Sequence, residues 1–171
     1  MKYFNGFSLH LEEVFFEEYL IESDFAVAGF SYGAQKAFEY VYSTKERVDR
    51  LILLSPAFFQ TQKPGFLRTQ LRYFQNGQEA YVKQFLENVT YPSQVDLANH
   101  LNIETIEELE ALLSYQWDTE KIREVVNRGT TIEIFIGAKD KIIDPQAAFE
   151  FFSDCTTTYF VKSVGHLLKS K

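Results

Sequence analysis

The chain has 171 residues, of which 46% are hydrophobic and 24% charged, values that are ordinary for one globular domain. Its formal net charge of −7 argues against nucleic acid as a partner. The single cysteine, Cys155, excludes an internal disulfide framework and fits a reducing compartment. The sequence shows no signal peptide pattern and no stretch near the ~18 apolar residues of a membrane span. We therefore expect a cytoplasmic monomer that contacts no membrane.

Five short segments rich in apolar or β-branched residues predict the strands of a sheet. They are residues 2–4, 25–30, 51–54, 131–136 and 156–161. Continuous apolar runs among them imply burial on both faces, which is typical of a parallel sheet. Helical patterns at residues 11–21, 33–43 and 145–152 separate strands. The alternation predicts an α/β fold, with a mostly parallel sheet and helices on both of its faces.

About 75 residues separate the third predicted strand from the fourth. A structureless loop of that length is implausible in a compact domain. The stretch instead predicts helices, at residues 65–74, 78–87, 95–100, 103–115 and 119–126. We interpret residues 56–130 as a helical cap inserted into a single domain of residues 1–171. The cap is expected over the carboxyl ends of the strands, where open α/β sheets bind ligands.

Ser31 lies in the pentapeptide Gly29-Phe30-Ser31-Tyr32-Gly33, after the second predicted strand and before a helical pattern. This is the G-x-S-x-G pattern of a nucleophile elbow, a strained strand-to-helix turn that exposes a serine hydroxyl at the end of a sheet. The flanking glycines remove Cβ atoms that would collide where the chain approaches itself. We predict that Ser31 is a nucleophile and that the backbone N–H of Tyr32 stabilises an oxyanion.

A nucleophilic serine needs a base, and the base needs an orienting carboxylate. After such an elbow, the acid and then the histidine follow along the chain. Of the three histidines, only His166 follows the last predicted strand, so it is the predicted base. Two carboxylates follow the fourth strand. Asp140 lies nearer the strand end, whereas Asp144 precedes a proline and could cap a helix instead; we favour Asp140 as the orienting acid.

The sequence resembles the α/β-hydrolases, and more narrowly the pimeloyl-[acyl-carrier-protein] methyl ester esterases of biotin synthesis in their small BioV-type form. The resemblance is carried by residues 4–7, 29–40, 137–140 and 165–166. It implies a minimal α/β-hydrolase fold and hydrolysis of the methyl ester of pimeloyl-acyl-carrier protein, with no metal or cofactor. By the same resemblance the second oxyanion donor is the backbone N–H of Phe7. Asn5 stands where the family usually has histidine, but the donor there is a backbone group.

The resemblance also implies an acidic acyl carrier protein as the partner, which basic residues of the insertion should meet. Arg68 and Arg72 are four residues apart and share a helix face, so we predict that they bind the carrier protein. An ordinary solvated face would show the same spacing. Two other functions fit the same residues: a general short-chain carboxylesterase or thioesterase, and a non-catalytic scaffold that only binds. The intact serine, acid and histidine in the expected order argue against the scaffold.

Overall fold

Five strands form one sheet in which every neighbouring pair is parallel and the spatial order follows the order along the chain. The structure, a computed structural model, describes residues 1–171. The strands are β1 (Lys2–Phe4), β2 (Ala26–Phe30), β3 (Arg50–Leu54), β4 (Thr131–Gly137) and β5 (Thr157–Val161). Each begins and ends within one residue of its predicted segment. The predicted parallel α/β architecture is therefore confirmed.

Six α-helices connect and cover the strands. They are α1 (Tyr32–Ser43), α2 (Phe66–Asn76), α3 (Gln78–Thr90), α4 (Ile106–Ser114), α5 (Thr119–Asn127) and α6 (Pro145–Ser153). Two short 3₁₀ helices, Glu12–Phe16 and Ala98–His100, lie in the connections. None of these helices combines the length and the apolar character needed to cross a bilayer.

The two faces of the sheet are covered differently. Because side chains alternate along a strand, Val27 and Leu51 point to the face that α1, α5 and α6 cover. Their neighbours Ala28 and Ile52 point to the other face. That second face is covered by the first 3₁₀ helix, by the end of α3 and by the C-terminal segment. Its buried contacts come from Leu9, Phe16, Val89, Leu97, Val164, Leu167 and Leu168.

The long segment between β3 and β4 falls into two parts. Helix α5 packs beside α1 on the sheet, as the connecting helix of a parallel strand pair does, with Ile122 and Val125 buried against the core. The three helices before it, α2 to α4, are the cap helices. The segment that leads into α4 is held to the loop after β1, where the Asn102 N–H donates to the Ser8 carbonyl at 2.9 Å. Helix α5 lies within residues 56–130, the predicted cap, but it packs directly on the sheet.

Residues 11–21, predicted as a helix, form only the 3₁₀ helix Glu12–Phe16 and a following turn. Leu11 has a left-handed backbone, with φ of 54°, so an α-helix cannot start there. The Glu12 side chain turns inward to accept the Gly6 N–H. The aromatic and β-branched residues that follow have low helix propensity, and these tertiary contacts outweigh the weak local pattern.

Residues 95–100 also form less helix than predicted, because this stretch pairs with the loop after β1. The His10 N–H donates to the His100 carbonyl at 2.9 Å. Leu9 and Leu101 form an antiparallel bridge next to that bond. Backbone groups that a helix would bond internally are therefore used between segments, and only the 3₁₀ turn at Ala98–His100 remains.

Candidate active site

Ser31 stands on a sharp turn between β2 and α1. Its backbone has φ of 54° and ψ of −112°, a strained conformation for a non-glycine residue, of the kind found at active sites. The Ser31 N–H donates to the Leu54 carbonyl at the end of β3, at 2.9 Å. A Cβ atom on Gly33 would overlap the Phe4 carbonyl oxygen, and one on Gly29 would overlap the Gly33 carbonyl. The elbow predicted from the pentapeptide is therefore present in the backbone.

The three predicted side chains form one hydrogen-bonded chain. His166 Nδ1 lies 2.6 Å from Asp140 Oδ2, and His166 Nε2 lies 2.9 Å from Ser31 Oγ. Because a carboxylate can only accept, we assign the imidazole proton to Nδ1, which leaves Nε2 to accept the Ser31 hydroxyl proton. This is the arrangement in which a histidine removes a proton from a serine as it attacks.

Asp140 and Asp144 have separate roles in the structure. Asp140 Oδ1 accepts the backbone N–H groups of Ile142 at 2.7 Å and Ile143 at 3.2 Å, so the turn fixes the carboxylate while Oδ2 faces His166. Asp144 is the N-cap of α6 and accepts the N–H groups of Gln146 and Ala147. The structure therefore brings Asp140 to the histidine and leaves Asp144 at the helix end.

Phe7 and Tyr32, whose backbone N–H groups are predicted to form an oxyanion hole, lie in the loop after β1 and at the start of α1. Phe7 is 1% exposed, and its N–H has no hydrogen-bond acceptor within the chain. Buried backbone N–H groups are nearly always paired, so a free one beside an active site is available for a ligand. Tyr32 is the first residue of α1, and the first N–H groups of a helix have no partner inside it.

Sequence reasoning missed Glu12, which is fully buried although glutamate is seldom buried. Its Oε1 accepts the Gly6 N–H at 2.7 Å and the Tyr3 hydroxyl at 3.3 Å. Its Oε2 is buried without a partner. Burial raises the pKa of the Glu12 carboxyl above its ordinary value, against the opposing effect of the Gly6 N–H bond. No local pattern marks such a residue, because its partners lie in β1 and the following loop.

Three further residues, Gln35, Lys36 and Glu108, join the nucleophile turn to the cap helices. The Tyr32 hydroxyl donates to Glu108 Oε2 of α4 at 2.5 Å, and Lys36 Nζ lies 3.3 Å from the same oxygen. Gln35 is buried and donates from Nε2 to the carbonyls of Ala57 and Leu112. The first turn and a half of α1 is thus held to α4 by the side chains of Tyr32, Gln35 and Lys36. The sequence motif includes these three positions but does not predict these contacts.

An apolar cavity of about 300 Å³ lies between the cap helices and the loops that follow β1 and β4. Its volume is near the lower end of the range for small-molecule sites. Phe7 from the oxyanion loop and Ile142 from the Asp140 turn both line it. The remaining lining comes mainly from the cap helices, including Phe66, Gln70, Tyr73, Tyr81, Phe85, Leu109, Leu112 and Leu113. The cavity therefore offers room for an apolar group between the cap helices and the loops that carry Phe7 and Asp140.

The two arginines predicted to bind a partner are exposed. Phe66, Gln70 and Tyr73 are the residues of α2 that line the cavity. Arg68 and Arg72 lie on the opposite side of that helix, since two residues correspond to more than half a turn. Neither arginine forms an ion pair, so both guanidinium groups are free to meet a charged surface.

Cys155 lies just before β5, at the N-terminal end of the parallel strands, whereas Ser31 lies at their C-terminal end. It is half-buried, and burial raises the pKa of its thiol above the ordinary value. A thiol with a raised pKa is a poor nucleophile at neutral pH. The structure therefore leaves Ser31 as the one nucleophile with an adjacent base.

Comparison with solved structures finds the same architecture in several hydrolases. The naproxen esterase (carboxylesterase NP) of Bacillus subtilis is 19% identical with a TM-score of 0.56, and the match covers 84% of this chain and 53% of that one. A bromoperoxidase from Bacillus anthracis is 13% identical with a TM-score of 0.63, covering 84% and 60%. BioG from Haemophilus influenzae is 11% identical with a TM-score of 0.60, covering 96% and 87%.

These likenesses establish that the chain has the α/β-hydrolase fold. The chain spans about half the length of the Bacillus subtilis hydrolase structures that it matches. No family model matches the sequence, and no curated protein matches it. The fold is therefore supported by structure, and the chemistry has to be argued from the site.

The geometry predicts different outcomes for the two aspartates. We expect Asp140→Asn to lower ester turnover strongly, by up to ~10⁴-fold, because an amide at this position favours the wrong histidine tautomer. Asp144→Asn is the matched control, since asparagine caps helices about as well as aspartate, and it should keep near-normal turnover. Initial rates on a p-nitrophenyl ester measure both. A crippled Asp144→Asn protein with a normal Asp140→Asn protein would reverse our assignment.

The burial of Glu12 predicts how stability depends on pH. Because burial raises its pKa in the folded state, the folded protein binds more protons than the unfolded chain between the ordinary and the raised pKa. The free energy of unfolding should therefore fall as pH rises through that window. Glu12→Gln removes this titration, so its stability relative to the wild type should increase with pH. Urea unfolding of both proteins from pH 4 to pH 8 measures the difference, and a constant difference would contradict the prediction.

Proposed function

We propose that this chain is a serine carboxylesterase. The observation that carries the proposal is the hydrogen-bonded chain from Ser31 through His166 to Asp140, built on a strained elbow. Ser31 Oγ has a base, His166 Nε2, at 2.9 Å, which is the arrangement that activates a serine for nucleophilic attack. The Phe7 N–H has no acceptor in the chain and can donate a hydrogen bond to an oxyanion that develops in the reaction.

The proposed mechanism is a two-step acyl transfer. Ser31 Oγ attacks the ester carbonyl while His166 Nε2 takes its proton, and the Asp140 carboxylate stabilises the imidazolium that forms. The N–H groups of Phe7 and Tyr32 bind the oxyanion of the tetrahedral intermediate. His166 then returns the proton to the leaving alcohol, and water hydrolyses the acyl-enzyme by the same route in reverse order. Serine and histidine suffice for these steps, so the mechanism requires no cofactor.

For the substrate we propose the methyl ester of pimeloyl-acyl-carrier protein, which would be split into methanol and the free acid. The resemblance of residues 29–40 and of the other motif segments supports this substrate. BioG from Haemophilus influenzae also matches 96% of the chain, so the shared fold extends through the cap helices. The apolar cavity next to Phe7 suits a chain of methylene groups.

The carrier protein would then be the macromolecular partner, and we propose that Arg68 and Arg72 contact it. Both are exposed and lack carboxylate partners within the chain. An acidic partner is repelled by a net charge of −7, so free cations beside the cap helices are needed to favour the encounter.

The substrate proposal is tested with pimeloyl-acyl-carrier protein methyl ester. We expect the wild-type protein to release the free acid, detected by mass or gel shift, and Ser31→Ala to release none, because Ser31 forms the acyl-enzyme. A fluorophosphonate probe should label the wild type and not Ser31→Ala.

Each alternative function predicts a different result in the same assay. Cleavage of the thioester to the carrier instead of the methyl ester would identify a thioesterase. Turnover of p-nitrophenyl esters without turnover of the carrier substrate would identify a general esterase. Absence of both labelling and turnover would leave a binding scaffold and overturn the proposal.

The double variant Arg68→Glu with Arg72→Glu tests the docking face. It should slow hydrolysis of the carrier-bound ester and leave a small p-nitrophenyl ester nearly unaffected, because the catalytic residues are untouched. The wild-type rate on the carrier substrate should also fall with added salt, since exposed charges are screened within about 8 Å at physiological ionic strength.

A matched control changes the net charge equally at another surface. Lys45 and Arg123 are exposed and form no ion pair, and neither belongs to the cap helices. Lys45→Glu with Arg123→Glu should therefore slow the carrier substrate much less. Equal slowing by the two double variants would show that only net charge matters. No slowing by Arg68→Glu with Arg72→Glu would exclude these two arginines as the docking face.

A further inference from the structure

The oxyanion loop after β1 is held through both peptide groups of Gly6. The Gly6 carbonyl accepts the Leu9 N–H at 3.2 Å, and the Gly6 N–H donates to Glu12 Oε1 at 2.7 Å. A peptide group is planar, and its N–H points away from its C=O. The Phe7 N–H shares a peptide plane with the Gly6 carbonyl, so the bond to Leu9 turns the Phe7 N–H away from Leu9.

The bond to Glu12 fixes the peptide plane on the other side of Gly6. Glycine has wide backbone freedom, so one anchored plane would still let the loop rotate about Gly6. A side chain cannot replace the anchor by packing there, because a Cβ atom on Gly6 would lie 2.8 Å from the Phe30 ring. The orientation of the Phe7 N–H therefore depends on an acceptor that reaches the Gly6 N–H from outside the loop.

Glu12 is built into the structure as that acceptor. Its side chain is fully buried, which is costly for a carboxyl group. It makes no ion pair with a cation, and its Oε2 has no partner. Its hydrogen bonds go to Gly6 and to Tyr3 of β1, which lie on either side of the turn into the loop. An apolar residue would stabilise the same space at lower cost, so the polar group is explained by what it holds.

We propose that Glu12 is a positioning residue for the reaction, which aims the Phe7 N–H at the oxyanion by holding Gly6. The expected effect on catalysis rests on the proposed esterase function. The role of Glu12 in holding the loop after β1 rests on the structure alone. Glu12 touches no reacting atom. Its removal should lower kcat while KM changes little, because the oxyanion forms only after the substrate is bound.

Three variants separate aiming from packing. Glu12→Met keeps the length and the buried volume but removes the acceptor. Glu12→Gln keeps a carbonyl oxygen for the Gly6 N–H without the charge. Glu12→Asp withdraws the acceptor by one methylene and is the milder second variant if Glu12→Met does not fold. Tyr3→Phe, which removes the other hydrogen bond to Glu12 and leaves the Gly6 bond in place, is the control.

The first measurement is amide hydrogen exchange at Gly6 by NMR, which needs no turnover. The Gly6 amide should be protected in the wild type, Glu12→Gln and Tyr3→Phe, and should exchange faster in Glu12→Met or Glu12→Asp. The second is kcat per active site, counted by fluorophosphonate labelling. For Glu12→Met we expect a fall of ~10- to 100-fold, less than the 10²–10³ that loss of a whole oxyanion donor costs, with Glu12→Gln near the wild-type value.

A third measurement follows the oxyanion itself. A trifluoromethyl ketone forms a tetrahedral adduct on the serine, so its inhibition constant should rise among the variants in proportion to the loss of kcat/KM. If Glu12 only stabilised the fold, its substitution would lower the labelled fraction but would leave kcat per labelled site and the inhibition constant of the ketone unchanged. That result would overturn the proposal. Unchanged exchange at Gly6 would also overturn it. If the wild type hydrolyses no ester, the esterase proposal fails, and the exchange data still decide whether Glu12 holds the loop.

Discussion

Backbone-to-backbone contact around Gly33 is the constraint on which the site depends. The Phe4 and Asn5 carbonyls occupy the space where a Cβ atom of Gly33 would lie. The end of β1 therefore rests directly on the first turn of α1, and the loop after β1 is brought next to Ser31. The parallel pairing of β1 with β2 holds both strands in register at this point. The positions of Ser31 and of the loop after β1 are therefore set by backbone contacts.

The cap helices belong to the same packed unit as this turn. Leu109 and Leu112 of α4 are buried in the cluster that also contains the sheet residues under α1. The Tyr32 hydroxyl and the Gln35 amide add directional bonds to the same helix. Because the backbone N–H of Tyr32 is also a proposed oxyanion donor, a shift of α4 would displace that N–H through the bond to Glu108. A ligand bound in the cavity that α4 lines would therefore be coupled to the position of the Tyr32 N–H, and by thermodynamic reciprocity such coupling acts in both directions.

The sequence revealed the parts of the site that local rules determine. The glycines around Ser31 mark a turn that few other residues can form, and chain order singled out His166. Asp140 and Asp144 could be ranked because Pro145 gives the second a capping role. Glu12 and Glu108 could not be found in this way, since their bonds join segments that only the fold brings together. Residues 11–21 were misread as a helix for the same reason: a tertiary bond to Gly6 outweighs a weak helical pattern.

Ser31 is 2% exposed and His166 has no exposed surface. With so little exposed surface at Ser31, access of an ester carbonyl to Ser31 Oγ in the proposed reaction would require neighbouring side chains to shift. A conformational step would then accompany bond making. Such motions occur in microseconds to milliseconds and often limit kcat. Burial of Ser31 and His166 would also limit the access of bulk water to an acyl-enzyme formed there. Solvent viscosity would then alter the observed rate without altering the chemistry.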